Sequence, residues 1–154
     1  MELAELLTPG AIRVCNGVKS KKRLFQDLAE IAGVAHGIDE AAAIDALQER
    51  ESLGPTGVGH GVALPHARID GIESVRGIFF RLDRPLDYGS VDRAPVDLVF
   101  ALFAPRDAGV EHLKALALVS RTLRDPAICT KLRANEETDK LFAILTQTAD
   151  TKAA

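Results

Sequence analysis

The chain has 154 residues, 47% of them hydrophobic, and its 19 Lys and Arg against 22 Asp and Glu leave a net charge of −3. At that length a single domain buries about 68–70% of its unfolded surface and needs neither disulfides nor a metal for stability. The mild acidity speaks against an electrostatic nucleic-acid partner, and no apolar run approaches the roughly 18 residues of a membrane-spanning helix.

The first residues, MELAELLTPG, lack the basic-then-apolar layout of a secretory leader, so a cytoplasmic location is expected. In that compartment Cys15 and Cys129, far apart and outside any metal-type pair, read as reduced, inert thiols. The first clear helix is expected over residues 21–34. Leu24, Phe25, Leu28, Ile31 and Ala32 share one stripe, and Ser20 can cap the start. Lys21, Lys22 and Arg23 oppose the helix dipole in the first turn, which a solvated basic face would explain. His36, beside Gly37 at the helix end, reads as a surface histidine. A second helix starts after the cap Asp39, turns Ala43, Ile44 and Leu47 inward, and stops near Ser52 because Gly54 and Pro55 follow.

Residues 54–68, GPTGVGHGVALPHAR, read as a glycine-rich loop followed by the short apolar run Val62, Ala63 and Leu64. Residues 75–82 alternate in part and read as a strand. Residues 96–103, VDLVFALF, are almost continuously apolar and read as a strand buried on both faces. A helix over residues 110–123 should turn Leu113, Leu116, Ala117 and Leu123 inward. Asp125-Pro126 caps a short helix to Arg133. A last helix over residues 136–146 carries Leu141, Phe142 and Leu145 on one side, and residues 148–154 read as a frayed tail. Helix pairs bracket a block of strands, so the class is α/β or mixed α+β, with short turns suggesting some antiparallel neighbours.

Among the histidines, His66 stands out. Pro65 fixes its own φ and biases Leu64 to an extended shape, so the backbone presenting the imidazole is stiff. Neutral imidazole is a good nucleophile near pH 7. On the residues alone, a functional and a structural His66 stand equally. Arg50, at the end of the second helix, could meet phosphate oxygens or hold a carboxylate. His112, in the first turn of a helix, should be neutral and able to donate one hydrogen bond, because the dipole disfavours an imidazolium there. Their structural alternatives are an ordinary ion pair and a helix-surface residue. His60 and His66 would share one face of an extended strand, but a zinc site would lack cysteine ligands or a His-Glu-x-x-His helix. The glycine loop has no Lys-Ser/Thr after it and leads into a strand, which disfavours nucleotide binding. No metal and no cofactor are expected.

Arg50-Glu51, residues 55–59 (PTGVG) and residues 63–66 (ALPH), together with residues 95–102 (PVDLVFAL) and Glu111-His112-Leu113, resemble the signatures of the mannitol/fructose/nitrogen-type enzyme IIA domains of bacterial phosphotransferase systems. Ser20-Lys21-Lys22, residues 92–103, Ala127-Ile128-Cys129 and Leu132-Arg133-Ala134 look closest to the nitrogen-regulatory branch. The resemblance implies an α/β single-domain sandwich over residues 1–147, with a mixed central sheet of about five strands and helices on both faces. It implies phosphorylation of His66, with Arg50 and His112 flanking the phosphoryl group and Thr56 and Gly57 in its environment. The implied donor is an HPr-like phosphocarrier, and the implied targets are regulatory proteins such as a potassium transporter or a sensor kinase. The rival readings are a sugar-transport enzyme IIA serving a IIB domain, a binding module without transfer, and a zinc hydrolase. Ala67 and His60 depart from the family's usual glycine and small amide.

Overall fold

A computed structural model describes the backbone of residues 1–153 and the side chains of residues 1–147. Helix α1 (Leu3–Leu6) and a single 3-10 turn at Pro9–Ala11 lead into strand β1 (Ile12–Cys15). Helices α2 (Lys21–His36) and α3 (Glu40–Ser52) follow, then β2 (Gly57–Gly59), β3 (Val62–Ala63), β4 (His66–Ile69), β5 (Arg76–Leu86) and β6 (Val96–Pro105). Helices α4 (Gly109–Leu123), α5 (Pro126–Arg133) and α6 (Thr138–Ala153) complete the chain.

The helix starts are set by side-chain caps that satisfy otherwise orphaned N–H groups. Ser20 Oγ accepts from Arg23 N, Asp39 Oδ2 from Ala42 N and Asp125 Oδ1 from Ala127 N. Helix α2 ends where Gly37 enters the left-handed region at φ 68°, which costs a residue without Cβ little.

The sheet is mixed, ordered β1-β5-β6-β3-β2, with β4 also on β6. Its six segments fill five lanes. Val62 pairs with Leu98, Ala63 with Val99, and then His66 with Leu102 and Ala67 with Phe103, one continuous parallel register. β3 and β4 are therefore one strand interrupted at Leu64-Pro65. β5 runs antiparallel to β6 and parallel to β1. Every residue of β6 except Asp97 is buried, because helices cover both faces. α2 packs on β5 and α3 on β4, while α4 packs on β6 and α6 on β1.

Five expectations need correction. The glycine segment contains β2, paired antiparallel with β3, so it is partly sheet. Helix α4 turns His112, Ala115, Val119, Thr122 and Leu123 inward, while Leu113 is 66% exposed and Ala117 is exposed too. The buried stripe is displaced from the one its apolar residues suggested. The strand expected to end at Leu82 continues to Leu86, passing a break in its register with β6. His36 is half-buried and its Nε2–H donates to Gly77 O at 2.8 Å, tying the end of α2 to β5. His60 and His66 share no strand, because His60 occupies the turn between β2 and β3 at φ 57°. The tail expected from residue 148 falls where only backbone is described, helical to Ala153, and Ala154 lies outside the described residues.

Candidate active site

The interruption between β3 and β4 builds the centre. Leu64 and Pro65 belong to no strand, and Pro65 has no N–H to offer a ladder. The Leu64 carbonyl is turned to the imidazole of His66, accepting from Nδ1 at 2.8 Å. A carbonyl only accepts, so the ring hydrogen sits on Nδ1 and Nε2 keeps its lone pair. Arg50 Nε, at the end of α3, donates to that Nε2 at 3.4 Å, while Arg50 Nη1 donates to Gly54 O at 3.0 Å. The guanidinium thus bridges the loop and the imidazole nitrogen that keeps its lone pair. His66 is half-buried. Burial holds its pKa below 6.5, helped by the Arg50 charge and opposed by the Leu64 carbonyl and Glu51. The ring is neutral at physiological pH.

His112 meets His66 edge to face, with ring centroids 5.5 Å apart and an interplanar angle of 71°. It is 6% exposed. Its Nδ1 accepts from Arg68 Nε at 3.3 Å, so its ring hydrogen belongs on Nε2. That Nε2 is buried and has no hydrogen-bond partner among the described residues. Burial, then the neighbouring His66 and Arg68, depress its pKa to about 4. The helix-surface alternative for His112 is excluded, and its expected neutrality holds. The backbone N–H of His112 is committed to Ala108 O inside the helix, so the side chain is the group it can offer.

Thr56 and Gly57 are buried in a supporting layer. Thr56 donates through both N and Oγ1 to the Glu51 carboxylate, at 3.0 and 2.5 Å. Tyr88 OH lies 2.7 Å from Thr56 Oγ1 and 3.2 Å from Glu51 Oε1. Lys21 Nζ donates to Glu51 Oε2 at 2.9 Å and sits 4.2 Å above the Tyr88 ring. Burial would raise the Glu51 pKa, but the hydrogen bonds from Thr56 and Lys21 outweigh it and hold the carboxyl low. This network ties the start of α2 to the end of α3 and to the loop entering β2. Sequence reading missed Tyr88 and Arg68 as parts of the site, and it gave Lys21 only a solvated role. The single tyrosine of the chain and Arg68, two positions beyond His66 on a strand, were the available signals.

His60 is exposed, its N–H donating to Asp92 Oδ2 and its carbonyl accepting from Arg133 Nη2, while Arg133 forks onto Asp97. Among the described residues no group of three His, Cys, Asp or Glu side chains converges to hold a metal, and no helix is long and apolar enough to cross a membrane. A cavity of about 510 Å³, lined by residues including Val58, His60, Leu64 and Arg124, lies off the centre; His66, Arg50 and His112 are not in its walls. Among the exposed large apolar side chains, Leu53, Val110 and Leu113 are 80%, 64% and 66% exposed. Leu53 follows Arg50 by three positions, and Val110 and Leu113 flank His112 in sequence.

Residues 5–148 match the family described as phosphoenolpyruvate-dependent sugar phosphotransferase system, EIIA 2. The chain belongs to this family. Like its members, it is therefore a phosphotransfer-system component. It is similar to the nitrogen regulatory protein of Bradyrhizobium diazoefficiens, 46% identical over 145 residues that span 94% of this chain and 95% of the relative. The solved nitrogen regulatory protein IIA-Ntr from Neisseria meningitidis is 34% identical, with a TM-score of 0.86 over 94% of this chain and 99% of that one. The mannitol IIA of Escherichia coli, 20% identical with a TM-score of 0.77 over 91% and 99%, shares the fold.

Proposed function

We propose that His66 Nε2 carries a phosphoryl group taken from the phosphohistidine of an HPr-like carrier, and that the chain is a cytoplasmic, nitrogen-linked regulatory phosphocarrier. The observation carrying this reading is the opposed pair of tautomers. One imidazole presents a lone pair beside Arg50, and the other, with ring centroids 5.5 Å apart, carries an N–H with nothing to donate to among the described residues.

In the transfer, the Nε2 lone pair of His66 attacks phosphorus in line with the donor's P–N bond. The new P–N bond forms as the old one breaks, and its electron pair returns to the donor ring, which leaves as a neutral imidazole when its other nitrogen is protonated. His66 keeps its Nδ1 hydrogen on the Leu64 carbonyl. One P–N bond replaces another, so little driving force is needed and catalysis falls to positioning and charge stabilisation. Arg50 and the His112 N–H supply donors for the phosphoryl oxygens. The added charge, roughly −1.5 to −2 by analogy with other phosphoresidues, is large beside a net −3. It would switch docking to a regulatory target such as a potassium transporter or sensor kinase.

The test is incubation with phosphoenolpyruvate, enzyme I and HPr, followed by intact mass. The wild type should gain one acid-labile phosphoryl group and His66→Ala none. An unlabelled wild type, or a labelled His66→Ala, would overturn the proposal. Passage of the label to a sugar-specific IIB domain at the rate of its arrival from HPr would instead make this a transport component.

A further inference from the structure

β4 carries two side chains on one side of the sheet. Positions 66 and 68 alternate with buried Ala67 and Ile69, as a period of two requires. One of the pair is His66; the other, Arg68, is exposed and reaches across to α4, where its Nε donates to His112 Nδ1 at 3.3 Å. A neutral imidazole can hold its hydrogen on either nitrogen, and the partner of one nitrogen decides. With the hydrogen on Nδ1, His112 would set donor against donor at Arg68. Its Nε2 lone pair would then face phosphoryl oxygens, acceptor against acceptor. With the hydrogen on Nε2, both ends are matched.

We propose that Arg68 is a positioning residue: by donating to Nδ1 of His112 it locks that ring with its hydrogen on Nε2, ready to donate to the phosphoryl group in transfer. This rests on His66 as the phosphoryl carrier and adds the element that prepares its neighbour. The Leu64 carbonyl and Arg68 are then paired devices. A fixed acceptor makes one ring a nucleophile, and a fixed donor makes the other a hydrogen-bond donor.

The test reads the rings directly. Long-range 15N–1H spectra of the imidazoles are recorded on the full, unphosphorylated chain at pH 7.5, for wild type, Arg68→Met and Arg68→Lys. Because Arg68 is exposed, both variants should fold, and His66, held by Leu64, should keep its Nδ1–H pattern as an internal control. The wild type should show His112 as the single Nε2–H tautomer. Arg68→Met should show exchange between tautomers and a phosphorylation rate lower by about tenfold to 10³, the range for losing one oriented donor. Arg68→Lys, which keeps a donor, should restore the tautomer and most of the rate. An unchanged His112 in Arg68→Met, or a slowed rate with no change of tautomer, would overturn the lock. A tautomer that responds in a wild-type background taking no phosphoryl group would support the lock and sink the carrier role of His66.

Discussion

Replacing His112 by leucine should make the protein more stable and less active, and the gain should grow on acidification. The wild type buries an N–H with no acceptor among the described residues, a defect that costs about 1–3 kcal/mol. Leucine, similar in volume, removes it and gives up only the 3.3 Å bond from Arg68, worth under about 1 kcal/mol because the exposed guanidinium returns to water. A net gain of about 1 kcal/mol follows at pH 7.5. The acid behaviour adds to it. Folding lowers the His112 pKa from 6.5 to about 4, so the folded protein holds the ring neutral while the unfolded chain takes up a proton first. This stability is whole above pH 6.5 and is lost as the pH falls towards 4. At 1.36 kcal/mol per pH unit, the full loss is about 3 kcal/mol, of which about 2.5 kcal/mol is reached by pH 4.5. The leucine variant escapes that loss, so its advantage should widen to about 3.5 kcal/mol. In urea, with a slope of roughly 2 kcal/mol/M, the midpoint should move up by about 0.5 M at pH 7.5 and about 1.8 M at pH 4.5. Phosphotransfer from HPr should fall by roughly 10². A midpoint shift that ignores pH, or a variant weaker at both, would refute the assignment of a buried, neutral, unpartnered donor.

Glu51→Ala should lower stability by about 2–4 kcal/mol in urea unfolding, since it removes the acceptor of the Thr56 N–H, leaves the hydroxyls of Thr56 and Tyr88 only each other, and frees Lys21 from its ion pair. Because folding holds the Glu51 carboxyl low, its contribution is present above pH 4.5 and is lost as the pH falls through the depressed value; the deficit of the variant should shrink below that point. Gly57→Ala should cost about 1–3 kcal/mol by thermal melting, because the new Cβ would press on the Ser90 side chain and lie 3.0 Å from its Cα. Unchanged melting would mean that β2 and the Ser90 loop are not packed as described.

The legible parts of the fold were those with local signatures. Ser20, Asp39 and Asp125 announce helix starts by chemistry confined to three or four residues, and each makes the expected cap. β6 announces itself by continuous apolarity, since both its faces are covered. β1 and β4 were not legible. Each has four residues and pairs in parallel with a distant strand, so nothing nearby marks it. The face of α4 was misjudged because Leu113 and Ala117 look like core, while the helix buries His112, which meets His66, and Thr122, whose hydroxyl donates back to Leu118 O. At the site, the sequence named His66, Arg50 and His112, and the structure brings them together. The sequence could not supply the Glu51–Thr56–Tyr88–Lys21 network, which gathers its residues from three separate stretches, around Lys21, from Glu51 to Thr56, and at Tyr88.

The break at Leu64-Pro65 has a cost and a use that cannot be separated. An uninterrupted lane from residue 62 to 69 would be the better strand, with every rung joined. It would also absorb the one oxygen that now dictates which nitrogen of the adjoining ring stays bare. Repairing the sheet and releasing the ring are the same change, so the flaw in the secondary structure is where the chain fixes the tautomer of His66.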